Sequence, residues 1–266
     1  ITRNYNCNPF QIIAFNYVVA IALCYLIFSP DMAQVTSEAP WNIYLAIGIL
    51  LPVVFQFLVL SIKNIGIVKT DAAQRLSLFI PILAAWLLFD EEFNSYKIIG
   101  LITGFIALLL ILNKPSSNVQ SRWVFPTVVL IGFGLIDILF KQIALYTALP
   151  YTTSLFIVFD IALAISLFIV VYQSVVKKAR IEYKNLLFGI LTGIFNFGNI
   201  LFYLKAHKVF SENPSTVFAS MNVGVIVLGT FVGVFFFKEK LSKLNFLGVF
   251  LALIAITFIV YSQFYL

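Results

Sequence analysis

Nine stretches of about 20 mostly apolar residues leave this 266-residue chain few ways to fold; they lie near 10–28, 41–62, 70–89, 96–112, 123–147, 151–172, 185–208, 214–237 and 245–265. Each has roughly the length a helix needs to cross the hydrocarbon core of a bilayer. None alternates apolar and polar residues as barrel strands do. Composition agrees: 62% of the residues are hydrophobic and 11% are charged, against about half and a quarter in soluble domains. Too little polar surface remains to cover a water-soluble globule. The expected fold class is an all-α integral membrane protein, a polytopic helical bundle with the lipid bilayer as its solvent.

The formal net charge of +6 is not a nucleic-acid signal, because Lys and Arg gather in the connections. One set of connections holds Arg3, Lys63, Lys69, Lys114, Arg122, Lys177, Lys178, Arg180, Lys184, Lys238, Lys240 and Lys243, and the other only Lys97, Lys205 and Lys208. The basic set is expected on the cytoplasmic side. Cys7 and Cys24 are too few for a disulfide framework and have no metal-ligand spacing. The first apolar stretch reads as a spanning helix rather than a cleaved signal peptide, since no small-residue cleavage site follows it.

The two halves echo each other. "FDEEFNSYKIIGLITGFIALLLIL" (89–112) aligns with "FKEKLSKLNFLGVFLALIAITFIV" (237–260), setting Phe89 opposite Phe237, Glu91 opposite Glu239, Gly100 opposite Gly248 and Ala107 opposite Ala255. The same offset sets Gln74 opposite Asn222, and a slightly different one sets Asn16 opposite Asp160. The expected organisation is a first repeat, 1–114, with four helices, and a second, 115–266, with five. The missing counterpart is expected before Ile1, which gives a ten-helix protein of two five-helix repeats. An odd number of helices per repeat inverts the second in the membrane, a plan common among transporters with a midplane site. Small residues four apart, at Gly100/Gly104, Gly189/Gly193 and Gly229/Gly233, are expected to pack helices closely.

The Glu turn before a Gly-led helix in both halves, the five-helix repeat and "RLSLFIP" together resemble the EamA-like branch of the drug/metabolite transporter superfamily. The resemblance covers nearly the whole chain. It implies export or exchange of small metabolites such as amino acids by alternating access, in a bacterial inner membrane.

Polar residues inside spans need a partner or a water-filled cavity. Arg75, in "DAAQRLSLFIPILAAWLLFDEE", is read as attracting a carboxylate or other anionic group, with an Asp71 pair or snorkelling as the structural alternative. Pro81 is expected to kink the same helix. Gln74 and Asn222 hold equivalent places and could flank a central site or cap helices. Thr192, Asn196, Asn199 and Tyr203 fall at spacings of four, three and four, which puts them on one helix face. Asn196, Asn199 and Tyr203, together with Asn16, join Arg75, Gln74 and Asn222 as the candidate substrate-binding set. Asp160, near mid-depth with no basic neighbour in sequence, is a proton-coupling candidate, or else hydrogen-bonds helices together. Asp137 and Lys141, one turn apart, are further candidates, or a self-neutralising pair with Lys141 snorkelling. His207 reads as lying at a wet helix terminus, without the company of a metal site.

No catalytic residue, metal or cofactor is expected. The acid cluster Asp90-Glu91-Glu92 has Lys238-Glu239-Lys240 as its repeat copy, which argues against an intramembrane lipid-modifying enzyme. A non-transporting scaffold or sensor is the remaining alternative. The chain lacks a phosphate-binding loop, so a secondary transporter is expected, with a small solute and a proton as its partners and a homodimer as a compatible assembly.

Overall fold

The computed structural model describes residues 7–65, 67–112, 124–176, 178–237 and 242–262. Ten α-helices follow one another among them: α1 (Pro9–Phe28), α2 (Trp41–Ile65), α3 (Ile67–Leu76), α4 (Phe79–Leu88), α5 (Ser95–Leu112), α6 (Val124–Leu145), α7 (Tyr151–Val176), α8 (Tyr183–Val209), α9 (Pro214–Phe237) and α10 (Lys243–Tyr261). Six of them, α1, α2, α6, α7, α8 and α10, are long and apolar enough to span, and 73–88 and 95–110 are shorter apolar segments. The protein is an all-α polytopic membrane protein.

Nine apolar stretches become ten helices because the third is broken. Proline has no N–H to give to the carbonyl four residues back, and its ring crowds that carbonyl. Pro81 therefore leaves Ser77 without its normal partner. Ile80 N–H closes on the Ser77 carbonyl instead, at 3.0 Å, and Leu78 N–H on that of Arg75, at 3.2 Å. The Ser77 hydroxyl also caps α3 by donating to the Gln74 carbonyl at 2.6 Å.

Two compact units form, and each draws helices from both sequence halves: 1–60 with 138–209, and 61–137 with 210–266. In the first unit, α1 packs on α7 and α8. Cys24 Sγ reaches the Thr152 carbonyl near the start of α7, and Asn8 bonds Gln173 near its end, so α1 and α7 run antiparallel. In the second unit α5 packs on α10. Asn94, just before α5, donates to the Ser262 carbonyl after α10, at 2.9 Å, while Asn245, early in α10, donates to the Leu110 carbonyl late in α5, at 3.0 Å. These are helices that the sequence echo aligns, and both pairs pack antiparallel.

The repeat also survives in the caps. Asn94 Oδ1 accepts from the Lys97 N–H at 2.9 Å, and its counterpart Ser242 Oγ accepts from the Asn245 N–H at 3.1 Å. Both residues fill the N-cap role that stabilises a helix start. The basic copy of the acidic turn, 238–240, lies outside the described residues. Glycine provides the close approaches: a Cβ on Gly193 would lie 2.8 Å from the Asn16 carbonyl oxygen, and one on Gly100 would lie 2.7 Å from Ile259 Cγ1.

Candidate functional site

At the helix ends of the first unit, the amides of a dense cluster hydrogen-bond one another and the backbone. Gln11 Oε1 accepts from Asn185 Nδ2 at 2.7 Å and from the Glu182 N–H at 3.3 Å, while its Nε2 donates to the Arg180 carbonyl at 2.9 Å. Asn8 donates its N–H to Asn185 Oδ1 and its Nδ2 to Gln173 Oε1, each at 3.1 Å. This cluster ties the start of α1 to the end of α7 and the start of α8.

Mid-span groups on the same helices differ. Asn16 and Tyr17 lie near the middle of α1 and Asn196 near the middle of α8. Asn16 Oδ1, the Tyr17 hydroxyl and Asn196 Nδ2 are buried atoms without a hydrogen-bond partner among the described residues. Gly193 brings α8 against α1 beside the Asn16 carbonyl, one turn before Asn196. The Tyr17 ring packs against Phe159 of α7 with ring centres 6.2 Å apart. Leaving a buried donor or acceptor unpaired costs about 1–3 kcal/mol. Three such atoms, with both donor and acceptor chemistry, are groups able to bind a polar solute.

The seam on α8 does not face one environment. Thr192 and Asn199 are exposed, Asn196 is half-buried and Tyr203 is buried. With about 100° per residue, these four lie beside the stripe of Gly189, Gly193, Ile200, Leu204 and His207, which is buried or tightly packed. The seam is therefore the border between the packed and open faces of α8. Thr192 turns its hydroxyl back to the Phe188 carbonyl at 2.7 Å. Asp160 is exposed on α7, ten residues into that helix.

His207 is not at a wet terminus. It is fully buried, edge-on to Tyr203 with ring centres 4.6 Å apart. The helix runs on to Val209, so His207 occupies the inward face of the last turn rather than a frayed end. Lys141 of α6 is its neighbouring charge and is itself fully enclosed, which rules out snorkelling. Phe140 also meets the Tyr203 ring edge to face, with ring centres 6.3 Å apart. Asp137 is half-buried one turn earlier on α6.

In the second unit, Arg75 pairs with Asp71 through Nη2 at 3.3 Å, as the i,i+4 alternative anticipates. Its Nε is nevertheless buried without an acceptor. Asn222 returns its amide to the Phe218 carbonyl at 3.0 Å, and Gln74 sits half-buried at the end of α3. Ser220 Oγ, on α9, is another buried hydroxyl with no partner.

Tyr17, Ser220 and the Lys141–His207 neighbourhood go beyond what the sequence indicates. So does a fully enclosed ion pair at the other end of the second unit. Lys97 Nζ lies 2.7 Å from Glu91 Oε1 and 2.8 Å from Asn213 Oδ1, and the side chains of the pair are 0% exposed. Glu91 also receives the Ser215 N–H at 2.8 Å and the Ser215 hydroxyl at 2.6 Å, so a carboxylate from the α4–α5 turn caps α9. Asp90, at φ 50°, turns the chain so that the Glu91 N–H closes on the Ala85 carbonyl and the side chain points inward. Like the amide cluster of the first unit, this end network has its bonds made.

An all-α polytopic membrane protein with buried polar groups at mid-span fits the class of membrane transporters. The EamA-like transporter family model matches residues 2–113. An uncharacterized protein of Haemophilus influenzae is 43% identical over 266 residues, covering 96% of this chain and 90% of its own length. The chain belongs to the EamA-like transporter family, within the drug/metabolite transporter superfamily. A protein of known crystal structure matches in fold with a TM-score of 0.72, over 96% of this chain and 89% of that one, at 13% identity.

Proposed function

We propose that this chain is a secondary transporter that moves small organic solutes, such as amino acids, by alternating access across a bacterial cytoplasmic membrane. The observation that carries the reading is a contrast. Polar clusters at the helix ends are densely hydrogen-bonded, whereas Asn16, Tyr17 and Asn196 at mid-span keep buried hydrogen-bonding atoms without partners among the described residues. A structural role favours saturation, since each unmade bond costs about 1–3 kcal/mol. A site that is filled and emptied in turn must leave bonds for its solute to make. Asn199 and Tyr203 extend this centre along α8. Arg75 Nε and the adjacent Gln74 supply polar groups of the other unit, with the arginine suited to a carboxylate.

Asp160 carries the coupling proton in this reading, because an exposed mid-span carboxylate is expensive in lipid and belongs beside water. Asp137 and Lys141 belong to the same pathway. Flux of an amino-acid panel into proteoliposomes, with and without a pH gradient, tests the proposal. Uptake or exchange of at least one solute is expected, accelerated by the gradient. Asp160→Asn should retain exchange and lose the response to the gradient. Absence of flux for every solute in the panel would overturn the transporter reading, and an unchanged gradient response in Asp160→Asn would remove that residue from coupling.

A further inference from the structure

The second unit contains a groove of about 160 Å³ between α4, α5, α9 and α10, among whose lining residues are Phe79, Ile82, Gly104, Phe105, Leu108 and Val223. Its wall is almost wholly apolar. The polar side chain there, Asn222, already gives its amide to the Phe218 carbonyl. A polar solute entering this groove would shed its water and find few partners, a loss of several kcal/mol. Water is disfavoured there for the same reason. An empty groove would forfeit the dispersion contacts of its walls. An apolar chain resolves all three difficulties.

The source of that chain follows from where the groove opens and how deep it runs. Phe79 and Ile102 belong to its lining and are 41% and 56% exposed, so the groove is continuous with the lipid-facing surface. Along α5 it extends from Gly100 to Leu108, about 12 Å at 1.5 Å per residue, which is most of one leaflet of a ~30 Å hydrocarbon core. At its outer end Tyr96 and Tyr261 stand edge to face, with ring centres 5.3 Å apart, where interfacial aromatic residues mark the headgroup level. The groove thus begins about one helical turn below the headgroup level of one leaflet and ends near the midplane.

The walls are also held apart. Glu91 grips the first turn of α9 through Ser215, and Lys97 grips Asn213 just before it. Ala219 and Val223, the α9 lining, follow one and two turns later. The start of α9 is thus fastened to the α4–α5 turn. On the α5 side Gly104 contributes no side chain, and a Cβ placed on it would meet Ala255 and Val223 at ordinary distances of 3.5 and 3.6 Å.

We infer that this groove is a binding site for one acyl chain of a bilayer phospholipid, seated between α4, α5, α9 and α10. The inference rests on the membrane fold and not on the transported solute. Its test uses the full chain in vesicles of phosphatidylethanolamine and phosphatidylglycerol, doped with a phospholipid bearing a diazirine midway along one acyl chain. After irradiation, adducts are mapped by peptide mass spectrometry. Adducts are expected to be at least fivefold enriched at Ile82, Phe105 and Leu108 over the equally apolar exposed residues Leu87 and Leu253. Gly104→Leu, whose Cβ fits, should fill the groove and remove that enrichment while labelling elsewhere is unchanged. Gly104→Ala should fall between. Uniform labelling of groove and open surface would overturn the inference, as would undiminished enrichment in a folded Gly104→Leu protein. Displacement of the label by a transported solute would reassign the groove to that solute and equally overturn it.

Discussion

Asn16 and Asn196 are amides on the same two helices as Gln11 and Asn185, yet their chemistry differs through depth alone. Gln11 and Asn185 sit where loop backbone and neighbouring amides supply partners; Asn16 and Asn196 sit among apolar side chains that supply none. Asn16→Leu keeps much of the volume and removes an unpaired acceptor. It should leave the melting temperature unchanged or raised, while flux falls at least tenfold, the trade-off expected where a destabilising group is kept for activity. A lower melting temperature with normal flux would instead assign Asn16 to packing. Sequence marks Asn16 and Asn196 because an amide at mid-span stands out. Tyr17 does not stand out, being one of 12 tyrosines in a chain rich in aromatic packing. His207 misleads for a different reason: flanking lysines suggest water, but successive helical residues point about 100° apart, so Lys208 and His207 meet different surroundings.

Among the elements, the α3–α4 break and the α4–α5 turn contrast in how far sequence reveals them. Pro81 announces the break, because the missing N–H and the crowded carbonyl are properties of the residue itself. Pro81→Ala restores the option of a Leu76–Phe79 connection in helical geometry. It should raise thermal stability and slow flux at least threefold if the break is used during transport, measured on the same proteoliposomes; unchanged flux would make the break incidental. The enclosed Glu91–Lys97 pair could not be foreseen. Its acid looks like a member of a solvated cluster, and its partners Asn213 and Ser215 lie more than 100 residues away. Removing one partner of a buried pair leaves the other charge uncompensated, at about 3–5 kcal/mol. Lys97→Met should therefore destabilise the protein by that order in denaturant titration. Glu91→Gln added to it should recover a large part, and additive losses would show that the two side chains act independently.

For the whole molecule, the nine apolar stretches and the internal echo are legible because they are set by bilayer thickness and by duplication, both of which write long regular signals. How the helices assort is less legible. Antiparallel pairing of α1 with α7 and of α5 with α10 depends on glycines and amides that look ordinary in sequence, such as Gly193 and Asn245. The assortment has a consequence for how the protein is made. The packing partners of α1 and α5 belong to the later half of the chain, so the ribosome delivers the early helices to the membrane well before their neighbours exist. Until then Asn16 and Lys97 must be tolerated in the bilayer or shielded by the insertion machinery. Chains cut between residues 112 and 124 should accordingly accumulate only when both pieces are made in the same cell. Either piece expressed alone should be cleared by membrane proteases, visible as a shortened half-life in pulse-chase labelling. Quality control of this protein is then a matter of timing, decided by how long its first half can wait.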